Sequence, residues 1–273
     1  MAEILIELYS EEIPANIQES AVKKFEFLLL DNFKEAGLHY LESEVYWSPM
    51  RLPVCVNGID LKSKDVKINR RGPRIDANEA AINGFARGLE VNVKDLIIEK
   101  LEKGEFYFYK SKKEGINAEI IIEDAIKTII SNFPWKKSMR WGDNQLKWIR
   151  PLHNILCVFD SSPIKFNVEN IHSNALTYGH RYLAPDSIEV NNKENYIEQL
   201  IKSHVIVNPE DRKKAILSSG NDLTKNLGLI FNPKENLLEE VCNIIETPFL
   251  FIGSFEEEYL SLPNQILELT MIK

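Results

Sequence analysis

Apolar positions Ile4, Ile6 and Leu8 alternate with Leu5 and Glu7, a period of two that predicts a short strand buried mainly on one face. Ser10-Glu11-Glu12-Ile13-Pro14 then offers a cap, acids for a first turn and a proline tolerated there. Ile17, Ala21, Phe25, Leu28 and Leu29 follow at helical spacing, and Gly37 is a natural stop. Glu44 to Trp47 and Leu52 to Val56 read as strands, with Asn57-Gly58 as a turn signal. The opening order is therefore β-α-β-β.

Further along, the Ala-rich stretch Asn78 to Leu89 predicts a short helix. Leu96 to Leu101 and Glu105 to Ser111 predict a hairpin turning at Glu102-Lys103-Gly104, with the aromatic run Phe106-Tyr107-Phe108-Tyr109 in its second strand. Ile120 to Phe133 is a strongly apolar helix that must end before Pro134. Leu152 to Phe159 and Ile164 to Val168 read as strands joined across Asp160-Ser161-Ser162-Pro163. Helices then dominate, at Lys193 to Lys202, Pro209 to Leu227 and Glu235 to Glu246, with one more strand at Pro248 to Ile252. Strands come in pairs and no glycine-rich loop follows the first, so the pattern predicts an α+β fold with antiparallel sheets and packed helices, richer in helix in its C-terminal half. With no repeat and no low-complexity linker, the expected division is a soft one, into residues 1–170 and 171–273.

Composition adds the class. The 273 residues are 44% hydrophobic and 27% charged, close to globular averages, which excludes disorder as the main state. No run of about 18 apolar residues predicts a membrane-spanning helix. Met1 to Glu7 carries two acids and lacks the basic start of a secretory signal. Cys55, Cys157 and Cys242 lie far apart within apolar runs, as reduced core thiols do, and a cytoplasmic location is expected.

Charge is unevenly placed. The net charge is −8, yet Glu235 to Lys273 alone holds eight acids against the single base Lys273. Lys62 to Arg74 carries Lys62, Lys64, Lys67, Arg70, Arg71 and Arg74 against Asp65. Lys136 to Arg150 carries Lys136, Lys137, Arg140, Lys147 and Arg150 against Asp143. Such asymmetry fits a polyanion-facing surface with an acidic module elsewhere, and equally two solvated loops.

Catalytic signatures are missing from the sequence: no phosphate loop, GxGxxG, His-Glu-x-x-His, Cys-x-x-Cys or Gly-x-Ser-x-Gly occurs. The five histidines are scattered singly, without the spacing of metal ligands. Tyr178-Gly179-His180-Arg181 is the most site-like, because an adjacent arginine disfavours the cationic histidine and suits a neutral hydrogen-bonding role. A structural histidine after a tight turn fits the same residues. Phe133 to Gly142 places Trp135 and Trp141 among Lys136, Lys137 and Arg140, with Trp148 and Arg150 close behind. Cations beside aromatic faces suit a stacked nucleotide and its phosphate; they also suit a protein interface, or a core of indoles under exposed cations.

Taken together, the segments resemble the β subunit of the bacterial two-subunit glycyl-tRNA synthetase. The likeness runs through Leu5-Ile6-Glu7-Leu8-Tyr9-Ser10-Glu11-Glu12-Ile13-Pro14-Ala15, Ser48-Pro49-Met50-Arg51-Leu52, Arg71-Gly72-Pro73 and Ala80-Ala81-Ile82-Asn83-Gly84-Phe85-Ala86. It continues through Lys137-Ser138-Met139-Arg140-Trp141-Gly142, Trp148-Ile149-Arg150-Pro151-Leu152, Tyr178-Gly179-His180-Arg181, Glu246-Thr247-Pro248 and Leu260-Ser261-Leu262-Pro263. Met50 stands where the family usually has the first of two adjacent arginines, so one basic contact is expected to be missing. Family members continue past the position of Met271 into an HD-like helical domain and an anticodon-binding domain, so the likeness is to the N-terminal portion of a β subunit.

The resemblance implies that an α subunit activates glycine with ATP and Mg²⁺, and that this chain holds no cofactor and is not catalytic alone. Its expected partners are that α subunit and tRNA-Gly, with no membrane. The candidate RNA contacts are Arg51, Arg70, Arg71, Lys136, Lys137, Arg140, Trp141, Arg150, His180 and Arg181. The competing expectation is a subunit-interface scaffold that touches no RNA, and a weaker one is a vestigial small-molecule pocket around His180 and Arg181. No catalytic residue is assigned.

Overall fold

The computed structural model describes residues 2–101, 104–225 and 227–271. Strand β1 (Ala2–Ser10) is central to the main sheet, flanked by β3 (Arg51–Ile59) and β7 (Leu152–Phe159), both antiparallel to it. Beyond β3 lies β2 (Glu42–Val45), and on the far side β8 (Ser162–Pro163), β9 (Asn167–Val168) and β10 (Ile171–Asn174) complete the sheet. The β10–β7 pair is parallel; the other pairs are antiparallel.

Helices α1 (Gln18–Glu35) and α3 (Ala118–Asn132) pack together on one face, burying Val22, Phe25, Leu29 and Phe33 with Ile122, Ile126 and Ile130 over Ile4, Ile6 and Leu8. The opposite face is also covered, by Tyr196 and Leu200 of α4 (Lys193–Lys202) and by Val205 and Val207, which close over Leu5, Cys55 and Val158. The first strand is therefore buried on both faces. The expectation of one buried face fails because Glu7, the polar member of the alternation, is itself fully buried, and a partner had to be found for it.

Between β3 and α3 a separate three-stranded antiparallel sheet is inserted: β4 (Val66–Arg74), β5 (Ile97–Leu101) and β6 (Gly104–Lys113), in the order β4-β6-β5, with α2 (Glu79–Gly88) against it. The hairpin and helix agree with the sequence pattern, and Asn78 caps α2 by accepting from the Ala81 N–H. Glu102 and Lys103, the expected turn, lie outside the described residues. The basic stretch Lys62 to Arg74 is a strand for most of its length, not a loop.

The ribbon β11 (Leu176–Tyr178) and β12 (Ser187–Glu189) follows β10, so the main sheet and its second cover cross residue 170 without a linker. Helices α5 (Pro209–Lys225) and α6 (Glu235–Ile244) enclose a small core of Ile216, Leu238 and Cys242. Fully buried Arg212 of α5 donates to the Cys242, Ile206, Val207 and Trp47 carbonyls at 2.7–3.0 Å, with no carboxylate among them. Helix α7 (Asn264–Met271) ends the described chain.

Four local expectations are corrected. Ser10 ends β1 instead of capping a helix, and Glu11 is drawn away to Arg181 and His153. Asn57-Gly58 is a bulge inside β3, where β1 skips from Asn57 to Ile59; Gly58 sits at φ +71° under the Leu41 side chain. The turn joining β2 to β3 falls instead at Ser48-Pro49-Met50-Arg51. Ile164 to Val168 forms a strand only at Asn167–Val168, because Ser173 occupies the Ile164 and Phe166 carbonyls. Pro248 to Ile252 is irregular, with Phe249 and Phe251 86% and 81% exposed and no strand beside them among the described residues.

Candidate nucleic-acid interface

Arg51 emerges from the β2–β3 turn into the interior. It is fully buried, donating from Nε to Glu246 at 2.8 Å and from Nη1 to Thr177 at 3.0 Å, with Glu7 3.4 Å away and the Gly179 carbonyl accepting from Nη2 at 3.2 Å. Glu7 is completed by Thr177 and Tyr196 hydroxyls at 2.7 and 2.6 Å, and Glu246 by Ser48 at 2.7 Å. Burial opposes the Arg51 charge, but the Glu246 and Glu7 carboxylates outweigh it and hold the guanidinium charged. Burial likewise pushes Glu246 up, and the Arg51 charge and hydrogen bond overcome it, leaving the carboxyl below its usual range. Burial beside the Glu7 charge pushes the Tyr196 phenol far up. Each of the three nitrogens of Arg51 donates inside the protein and the side chain is fully buried, so the expectation of a surface phosphate contact does not fit its place in the fold. Met50 is buried too, meeting the Tyr9 hydroxyl at Sδ.

Arg181 is also engaged. Its Nη2 donates to Glu11 at 2.6 Å and Nη1 lies 3.5 Å from Glu12, two acids that would repel a phosphate. His180 Nδ1 accepts from the Tyr182 and Leu183 N–H groups at 3.3 Å, the structural role for a histidine after Gly179. The cavity beside them, about 220 Å³, includes Glu12 and Glu246 in its wall. Arg181 is thereby tied to carboxylates and His180 to its own turn.

The second cluster is differently built. Chain 133–150 leaves α3 and folds back through a Met139–Trp148 bridge, with backbone bonds of 2.8 and 3.1 Å. Fully buried Trp148 anchors it, 4.9 Å from the Trp135 ring and 5.1 Å from Phe133. Trp141 packs half-buried against the same core. Lys136, Lys137, Arg140 and Arg150 are left exposed, and among the described residues none of them pairs with a carboxylate. Lys136 and Lys137 line a cavity of about 620 Å³ with Lys24 and Ser20 of α1. Lys24 was not legible as a site residue; only the fold brings α1 alongside the segment that follows α3.

The third cluster is β4. Arg71 lies over the Phe106 ring at 3.7 Å, on the face closed by α2, where Phe85 fills the space over Gly72. Register places Arg70 opposite Tyr109 and Ile98 opposite Tyr107, on the other face of the sheet. Arg70 and Arg71 are exposed, and neither pairs with a described carboxylate, whereas Arg74 is held by Asp76 at 3.2 Å.

Among the described residues no group of three or more His, Cys, Asp or Glu could hold a metal ion, and no helix is long and apolar enough to cross a membrane. The three thiols are buried, and burial raises each of them.

Fold and site together define a mixed α/β chain that carries exposed cations, without a carboxylate partner among the described residues, over a closed core. The chain belongs to the glycyl-tRNA synthetase beta subunit family, whose model matches residues 4–273. It is 36% identical over 275 residues to the glycine–tRNA ligase beta subunit of Paracoccus denitrificans, covering 99% of this chain and 40% of that relative. The corresponding subunit of Rhodospirillum centenum is 34% identical over 296 residues, covering 99% of this chain and 42% of its own length. The chain thus spans about two-fifths of the length of these relatives, at their N-terminal end.

Proposed function

We propose that this region contributes tRNA-Gly binding and subunit assembly to ATP-dependent glycylation of tRNA in the cytoplasm, the chemistry residing on an α subunit. What supports this reading is the contrast among the cations. Arg51 and Arg181 are consumed by protein carboxylates, while Arg70, Arg71, Lys136, Lys137, Arg140 and Arg150 are exposed without one among the described residues. Exposed cations that the protein does not neutralise are what a phosphate backbone requires.

Binding isotherms with tRNA-Gly at two salt concentrations test the proposal. Affinity should fall steeply with salt, with a log–log slope of roughly 0.7–0.9 per phosphate neutralised. An affinity and slope unchanged in a folded Lys137→Ala, Arg140→Ala variant would remove the basic segment from the interface.

A second reading, a scaffold without RNA contact, draws on the segment after α6. Phe249, Phe251, Leu260 and Leu269 are 86%, 81%, 61% and 73% exposed, a series of large apolar side chains suited to burial against protein. Association with the α subunit combined with no tRNA binding would favour it.

A further inference from the structure

The cavity beside α1 differs in composition from two other cavities of the molecule. It measures about 620 Å³, within the range of small-ligand sites, against about 450 and 220 Å³ for the others. Lys24, Lys136 and Lys137 line it, and no carboxylate does; the other two cavities include Glu169, or Glu12 and Glu246. Phe133 and Trp135 form an aromatic wall, their centroids 4.5 Å apart, braced from behind by buried Trp148. Asn16, in the short turn that precedes α1, and Ser20, in its first turn, add polar groups near the helix N-terminus, where the dipole favours an anion. The indole nitrogens of Trp135 and Trp148 are both buried without a partner among the described residues.

An apolar half with flat rings and a cationic half without acids match the two halves of a nucleotide. We propose that this cavity binds one nucleoside phosphate unit, the base against Phe133 and Trp135 and the phosphate among Lys24, Lys136 and Lys137. The inference rests on the RNA-binding reading for the source of that unit, an unstacked nucleotide of the RNA. A free nucleotide has the same chemistry, and the test separates the two.

The full chain is titrated with a single-stranded RNA hexamer, with AMP and ATP, and with tRNA-Gly, following tryptophan fluorescence. Trp135→Phe assigns the signal while keeping a ring, and thermal midpoints establish that each variant is folded. The hexamer should quench the Trp135 signal, and Lys24→Ala and Lys136→Ala, Lys137→Ala should each weaken binding roughly tenfold, the loss of one charge-assisted hydrogen bond or more. Lys202→Ala, on α4 beside Glu198, should leave it unchanged. Lysine-dependent binding of AMP or ATP without the hexamer supports the cavity and makes its ligand a free nucleotide.

Binding of tRNA-Gly that none of the lysine variants alters overturns the cavity and leaves the RNA-binding reading standing. Lysine-dependent AMP binding with no tRNA binding does the reverse. No Trp135 response to any of these probes overturns the inference.

Discussion

The Arg51 guanidinium sits 2.8 Å from the Glu246 carboxylate, two residues 195 positions apart in the chain. With Ser48, Glu7, Thr177, Tyr196 and the Gly179 carbonyl they form one buried network. Four of the segments that mark the family likeness meet there. Glu7, Ser48, Arg51, Gly179 and Glu246 are thus joined by a shared interior ion pair.

Removing Arg51 leaves Glu7 and Glu246 buried and unpaired. Arg51→Ala should lower stability by about 3–5 kcal/mol, read from urea midpoints, while Arg51→Lys should recover only part because one ammonium cannot reproduce the fork. A loss under 1 kcal/mol for the alanine variant would contradict the network's role.

The pH dependence has a definite sign. Glu246 is held below its ordinary value near 4.5, so it binds its proton less readily folded than unfolded. Its contribution is therefore fully present above that value and disappears as pH falls through the depressed folded pKa. Relative to Glu246→Gln, the wild-type chain should lose stability in acid below about pH 4.5; parallel acid profiles would remove Glu246 as a source.

Trp148 supports the basic segment from beneath. Trp148→Ala should cost about 3–5 kcal/mol in chemical denaturation, whereas exposed Lys136→Ala should change stability by less than about 0.5 kcal/mol. Equal effects would mean that the segment is not anchored through its indole.

On β4, charge reversal at Arg70 and Arg71 should weaken tRNA-Gly binding and reduce the salt slope by about one to two units. An unchanged slope would confine RNA contact to the 136–150 segment.

The long periodic elements were legible because each buries one broad stripe: α1, α3 and α4 lie where Phe25, Ile126 and Leu200 place them. What the sequence hid depended on distant partners. Asn57-Gly58 carries a turn signal, yet pairing with β1 continues past it and makes it a bulge. Pro248 to Ile252 has strand-like residues but, among the described residues, no neighbour to pair with. Arg51 and Lys136 are indistinguishable as basic letters; only the fold reveals that one faces two carboxylates and the other solvent. Trp135 and Trp148 were open between stacking, interface and core, and the structure places Trp148 in the core with Trp135 at a cavity wall.

The insertion carrying β4 leaves and re-enters the main body at one clasp, beside which Lys64 N–H also reaches the Gly37 carbonyl at 3.3 Å. Ser63 N–H donates to the Ile116 carbonyl at 2.9 Å, Ala118 N–H to Leu61 at 2.9 Å, and Lys62 bridges Asn117. Gly115 lies so close to the Ser63 carbonyl that any side chain would force the clasp open. Because both ends meet at one point, residues 64–115 behave as a detachable cassette: a short turn in their place should leave the register of β3 and the seating of α3 intact. The share of RNA affinity carried by β4 can then be excised whole, and read against a scaffold that still folds.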